Sequence, residues 1–244
     1  MVKSPNKTWS SLLWPPLIKG TLIKRYKRFL ADVVLADGCT VTAHCPNSGS
    51  MAECNLPGAP VYLSQHDDPK RKLKYTWELI QMPTSLVGVN TLVPNRLVAL
   101  AAKTQSVPAL AGYDQVQTEV KIDAHTRLDL KLSGAKRTDC FVEVKNCTLV
   151  KDGLALFPDA RTIRGQKHLQ TLAQLKAQGH RALMFFVVQR SDARRFAPAE
   201  AIDPEYSRAL RQVAAQGVEI VVYDVAIDLK GIALNRVLPY ELKD

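Results

Sequence analysis

Residues 127–131 read Arg-Leu-Asp-Leu-Lys, and residues 140–145 read Cys-Phe-Val-Glu-Val-Lys. Both runs alternate polar with apolar residues, the period of a strand with one face turned to a core. Leu128 and Leu130 point one way in the first arm, against Arg127, Asp129 and Lys131. In the second, Val142 and Val144 oppose Phe141, Glu143 and Lys145. Residues 133–139, Ser-Gly-Ala-Lys-Arg-Thr-Asp, have the makeup of a hairpin loop. If the strands pair, Asp129, Glu143 and Lys145 converge on one face. Two carboxylates held so close are costly unless something positive sits among them, and a divalent metal is the usual answer.

An acid followed at a distance by [D/E]-x-K marks one large nuclease fold, but the pattern is cheap. The chain holds six such pairs: Asp68/Lys70, Glu119/Lys121, Asp129/Lys131, Glu143/Lys145, Asp228/Lys230 and Glu241/Lys243. Only Glu143/Lys145 sits in a strongly apolar strand, follows a strand bearing a carboxylate and precedes an amphipathic helix. The plain alternative is a solvated strand face with incidental ion pairs. In the metal reading, Asp129 and Glu143 bind Mg²⁺ (or Mn²⁺), with a main-chain carbonyl such as that of Val144 as a further ligand. The ion activates a water, and Lys145 orients that water and stabilises developing negative charge. Glu119 is a further carboxylate or an exposed charge. Gln166 shares a helix face with Leu169 and Ala173 and needs polar company there. Arg161, Arg164 and Lys167 are candidates for phosphate. His168 reads as an ordinary surface histidine, and Phe157-Pro158-Asp159 as a structured loop.

Around this stretch the grammar is α/β. Residues 162–179 form an amphipathic helix stopped by Gly179, and 182–188 are an apolar run expected of a central strand. Asp203 is an N-cap with Pro204 at the first helical position, Gly217 is a stop, and a further buried strand follows. Upstream, short strands are cut by turns. Residues 21–35 alternate as one strand up to Asp37-Gly38, a hairpin signal, and about five strands fit before residue 90. A small closed barrel buries so many short strands without exposed edges. Residues 1–16 read as a flexible leader, 94–103 as a short helix and 106–113 as a linker, with the break between the two regions near 95–112.

The 244 residues carry a formal charge of +10. Such a balance makes a polyanionic partner plausible, beside the plain reading of a basic soluble protein. Residues 1–90 hold 11 Lys and Arg against 6 Asp and Glu. Two clusters account for most of them: Lys19, Lys24, Arg25, Lys27 and Arg28, then Lys70, Arg71, Lys72 and Lys74, interleaved with Tyr26, Phe29, Tyr75 and Trp77. Basic and aromatic side chains on a barrel suit a nucleic-acid groove, so these lysines and arginines are read as DNA contacts. Phe29 and Trp77 are assigned to the core. The five cysteines form no C-x-x-C pair and read as reduced thiols of a cytoplasmic protein. No stretch approaches a membrane span. Nothing supports homo-oligomerisation.

The chain resembles the sugar fermentation stimulation protein A family. The matching runs are 25–33, 44–51 (His-Cys-Pro-Asn-Ser-Gly-Ser-Met), 89–92, 119–121, 127–130, 142–149 and 157–169 (Phe-Pro-Asp-Ala-Arg-Thr-Ile-Arg-Gly-Gln-Lys-His-Leu). Leu128, Leu130 and Ser48 stand where isoleucine, phenylalanine and threonine are usual, and the leader is longer than typical. The resemblance implies an α/β (α+β) chain: an N-terminal OB-like β-barrel (17–93), a helix and linker (94–112), then a restriction-endonuclease-like PD-(D/E)XK mixed-sheet domain (113–244). It further implies sequence-independent DNA binding and a regulatory link to maltose metabolism. A Mg²⁺-dependent, structure-selective deoxyribonuclease is the alternative. The nuclease-type residues carry over to Asp129, Glu143 and Lys145, with Glu119 and Gln166 accessory.

Overall fold

The computed structural model of the protein describes residues 10–242. The first nine residues of the expected leader, and Lys243 of the last [D/E]-x-K pair, lie outside the described residues. The strands in the first half are β1 (Leu12–Leu13), β2 (Leu17–Tyr26), β3 (Leu30–Leu35), β4 (Thr40–His44), β5 (Pro60–Gln65), β6 (Tyr75–Gln81) and β7 (Leu86–Gly88), followed by helix α1 (Val93–Lys103). Then come β8 (Gln115–Lys121), β9 (Arg127–Gly134), β10 (Arg137–Cys147), β11 (Leu149–Lys151), β12 (Leu154–Phe157) and α2 (Ile163–Ala177). The chain continues through β13 (Arg181–Val188), β14 (Arg195–Pro198), α3 (Pro204–Ala215), β15 (Glu219–Ile227) and β16 (Gly231–Val237).

The first lobe is a closed barrel. Strands run in the order β4-β3-β2-β5-β6, and a parallel pair between β4 and β6 (His44 opposite Thr76) joins the ends. Trp77, wholly buried among Leu22, Val33, Val61 and Leu63, fills its centre. Two expectations fail here. Residues 21–35 are not one strand, because a turn at Lys27 and Arg28, both at positive φ, folds β3 back on β2. Phe29 leaves that turn 46% exposed and is not core.

The second lobe is built on a seven-stranded mixed sheet, β1-β16-β15-β13-β10-β9-β8, with β10, β13 and β15 parallel. Its β13 is buried on both faces, as an unbroken apolar run requires. Met184, Phe186 and Val188 pack beneath α2 and α3 with Leu169, Leu172 and Leu210. The alternate residues Leu183, Phe185 and Val187 share the opposite core with Leu97 and Val98 of α1. Asp203 caps α3 by accepting from the Tyr206 amide at 3.0 Å. Strands β11, β12 and β14 make a small second sheet that no periodicity announced.

The expected spacer at 94–112 is part of this lobe: α1, Val107, Leu110 and Tyr113 are buried in the sheet's core. The end of the leader is also ordered. Leu12 and Leu13 pair with β16, and the Trp14 indole donates to the Asp228 carbonyl at 2.9 Å. Buried Arg190 staples the two lobes. It pairs with Asp192 and donates to the carbonyls of Glu53 (3.2 Å) and Thr148 (3.0 Å), while Gln189 and Gly88 bond across the seam. No described helix is long and apolar enough to cross a membrane. The cysteines are free, and all but Cys39 are buried.

Candidate metal and phosphate site

Between β9 and β10 the ladder pairs Val142 with Leu130. Further along β10, the Val144 amide bonds not to a carbonyl of β9 but to the Asp129 carboxylate, at 2.7 Å. Leu128 and Leu130, expected on one side, go to different cores, under α2 and α1 respectively. Near Asp129, Glu119 adopts φ 55°, a left-handed conformation that costs a non-glycine residue of order 1 kcal/mol. The strands open at this point into a cleft of about 460 Å³.

Asp129, Glu143 and Lys145 all line the cleft. The Asn95 amide on α1 holds the second Asp129 oxygen at 2.6 Å. Glu143 is almost wholly buried; its Oε1 accepts from Lys145 Nζ and from His168 Nδ1, while its Oε2 is buried with no hydrogen-bond partner. Arg164 donates from Nε to His168 Nε2 at 3.4 Å, so the imidazole proton lies on Nδ1, facing Glu143. Burial and the neighbouring Glu143 carboxylate push Asp129 up to about 7. Burial also works to raise Glu143, but His168 and Lys145 outweigh it and hold that carboxyl below its usual range. One acid is thus fixed as a carboxylate, while the other holds its proton up to about neutral pH unless a cation joins it.

Among the described residues no group of three or more His, Cys, Asp and Glu side chains gathers into a self-sufficient metal cage. The donor set fits a hard cation that keeps most of its waters and takes one or two carboxylates, as Mg²⁺ does. The orphaned Glu143 Oε2 and the charge-starved Asp129 are the features such an ion would satisfy.

The other expected residues divide. Glu119 lines the cleft but is exposed and pairs with Arg127 at 3.5 Å. Arg161 and Arg164 also line it. Arg164 and Lys167 face an adjoining groove of about 750 Å³ with Lys121, His125 and Arg127. Gln166 does not reach the cleft, because its amide turns to Asp203 at 3.3 Å. His168, taken as a surface residue, is buried against Glu143; its position five residues after Ile163 on α2 is readable, but not the facing strand.

The barrel supplies a wall of the cleft through Asn47, Ser48 and Gly49. Arg25, expected on phosphate, instead clamps this loop, donating to the carbonyls of Asn47 (2.8 Å), Gly49 (2.9 Å) and Ser50 (3.3 Å). Asp159 accepts from the Met51 amide at 3.1 Å, and a Cβ at Gly49 would collide with its carboxylate. Lys27, Arg28, Lys70, Lys72 and Lys74 are exposed. Lys24 reaches Asp32 at 4.0 Å, and Arg71 donates to Thr76 at 3.2 Å.

Residues 92–231 match the sugar fermentation stimulation protein RE domain, and residues 23–89 match the SfsA N-terminal OB domain. The chain belongs to this family. Sugar fermentation stimulation protein homologs are similar to it over nearly their whole length. That of Geotalea daltonii is 51% identical across 93% of this chain and 98% of its own. That of Geobacter sulfurreducens is 53% identical across 92% and 96%. A solved structure, described as Pyrococcus furiosus SfsA in complex with Ca²⁺, shares the fold with a TM-score of 0.86. It is 24% identical to this chain and covers 94% of it and 98% of its own chain.

Proposed function

We propose that this protein binds DNA with little regard to sequence and that the cleft at Asp129, Glu143 and Lys145 hydrolyses a phosphodiester bond with a divalent cation. The observation that carries the reading is a pair of carboxylates, Glu143 buried and Asp129 half-buried, beside a lysine in an open, arginine-lined cleft. The Pyrococcus protein's Ca²⁺ is consistent with a hard-cation site on this fold. A bound Mg²⁺ or Mn²⁺, held by Asp129 and Glu143, would neutralise charge on the phosphate and acidify water. Val144 N–H and Asn95 fix the Asp129 carboxylate, so little reorganisation accompanies binding. His168 holds Glu143 ionised and in place, and Arg164 holds His168. Lys145, which donates to Glu143 and lines the cleft, would be the group to donate to a phosphate oxygen or to an attacking water. Arg127, Arg161 and Arg164 at the mouth orient the phosphate.

A second reading, binding without turnover, is favoured by one detail: Lys145 and His168 already occupy Glu143 Oε1. A regulatory effect on maltose metabolism would act through the same sequence-independent grip. The test incubates the protein and Lys145→Ala with duplex, nicked, flapped and single-stranded DNA, each with Mg²⁺ or Mn²⁺. Metal-dependent cleavage that falls by about 10²–10³ in the variant is expected. Binding across the panel with no product from wild type would leave the binding reading alone standing.

A further inference from the structure

The groove beside the metal cleft does not end at Lys167. A third concavity, of about 500 Å³, continues it along the edge of the sheet, and Lys121 lines both. Val120, Phe141 and Leu175, all buried, make its floor, and its exposed rim is Gln117, Lys121, Gln174 and Gln178. Shared residues join the three hollows: Arg127 and Arg164 between cleft and groove, Lys121 between groove and concavity.

Helix α2 builds this continuity. Arg164, Lys167, Thr171, Gln174 and the C-cap Gln178 lie at i, i+3, i+7, i+10 and i+14, one stripe on a 3.6-residue period. At 1.5 Å per residue the stripe is about 21 Å long. Edge strand β8 closes its other side with Gln117 and Lys121. Beyond the cleft the run is short of acid. Glu119 pairs with Arg127 at 3.5 Å, and Asp123 accepts from the amides of His125 (2.7 Å) and Thr126 (2.8 Å) in its own turn. The concavity past Lys121 has no acidic lining residue. Its one phenyl ring, Phe141, is buried in the floor. A single strand is held by stacking its bases on exposed rings, whereas a duplex offers regularly spaced phosphates to Lys, Arg and Gln side chains.

We propose that this track holds the phosphates of one strand of a duplex arm leaving the metal cleft. Arg164, Lys167 and Lys121 are its charged contacts, and Gln174 and Gln178 donate from their amides. Its length of about 21 Å spans roughly six phosphates of one strand. The inference rests on the reading of DNA as ligand, not on cleavage. The track has fewer exposed cations than the barrel loops, so it sets the direction in which the duplex crosses the metal, and the loops supply most of the affinity.

The test measures, by fluorescence anisotropy of the full chain at fixed salt in EDTA, affinity for a duplex longer than the track and for an oligothymidylate of equal length. Gln174→Glu with Gln178→Glu, both at exposed positions, is expected to weaken duplex binding about 10-fold. Gln216→Glu, at the matching C-cap of α3, should weaken it less than about 2-fold. Lys121→Ala should flatten the slope of log affinity against log salt by about 1. No loss in the double variant, an equal loss in Gln216→Glu, an unchanged slope in Lys121→Ala, or a larger loss on the oligothymidylate than on the duplex would overturn the track while leaving DNA binding intact. Failure of the wild type to bind either form would overturn it together with the DNA reading.

Discussion

The two lobes treat charge in opposite ways. In the α/β lobe, Glu143 and His168 are buried and Asp129 and Lys145 half-buried, each held by a named partner, and one carboxylate is left short of positive charge. In the barrel, Lys27, Arg28, Lys70, Lys72 and Lys74 stand in water on two loops. Buried, fixed charge carries a large desolvation cost and is selective for one small ion and one geometry. Exposed charge costs little, is screened by salt and accepts any polyanion. On the proposed reading, chemistry belongs to one lobe and grip to the other. Loop 46–50 joins them, because Arg25 and Asp159 lock a barrel segment into the cleft wall.

The largest effect that separates the lobes comes from the barrel core. Trp77→Ala should cost about 3–5 kcal/mol in chemical denaturation and remove most DNA affinity, while Mn²⁺ affinity changes far less. Equal loss of both would show that the sites do not stand on separate cores. Next, His168→Ala should weaken metal binding or cleavage about 10–100-fold with unchanged affinity for DNA in EDTA, because it removes the group that orients Glu143. Kinetics at saturating metal would separate the two.

The cleft should also be proton-linked. Asp129 is raised in the folded state, to about 7, so the metal-free protein binds this proton longer folded than unfolded. Its contribution to stability is present at low pH and lost as pH rises from about 4 through 7. Glu143 works in the opposite sense: being depressed, its contribution is lost only as pH falls below the usual carboxylate range. Asp129→Asn should therefore raise Tm in EDTA near pH 8, and wild-type Mn²⁺ affinity should climb between about pH 6 and 8. A flat calorimetric pH profile would contradict this. The smallest effect belongs to the exposed loops. Lys27→Ala with Arg28→Ala should flatten the slope of log affinity against log salt by about 1 for each phosphate charge no longer neutralised, and leave metal binding untouched.

Much of this contrast was legible in the chain. The alternation of 127–131 and 140–145 put Asp129, Glu143 and Lys145 in facing strands, and the apolar run at 182–188 marked the centre of the sheet, because strand period and two-sided burial are local properties. What escaped depends on partners distant in sequence. His168 looked like a surface residue because only Glu143, 25 residues earlier, makes it buried. Gln166 shares the helix face that packs inward but meets Asp203 first. Arg25 resembled its basic neighbours, yet the carbonyls that consume its donors come from residues 47–50. The turn at 27–29 has neither glycine nor proline to announce it, and the order of Leu12–Leu13 depends on β16 at the far end of the chain.

The central claim is that Asp129 and Glu143 together hold a divalent cation. Titration calorimetry of Mn²⁺ into wild type and into Asp129→Ala with Glu143→Ala tests it most directly, with circular dichroism to establish that the variant is folded. Saturable binding to the wild type and none to the folded double variant is the expected result. Equal affinity in both would place the ion elsewhere and contradict the account.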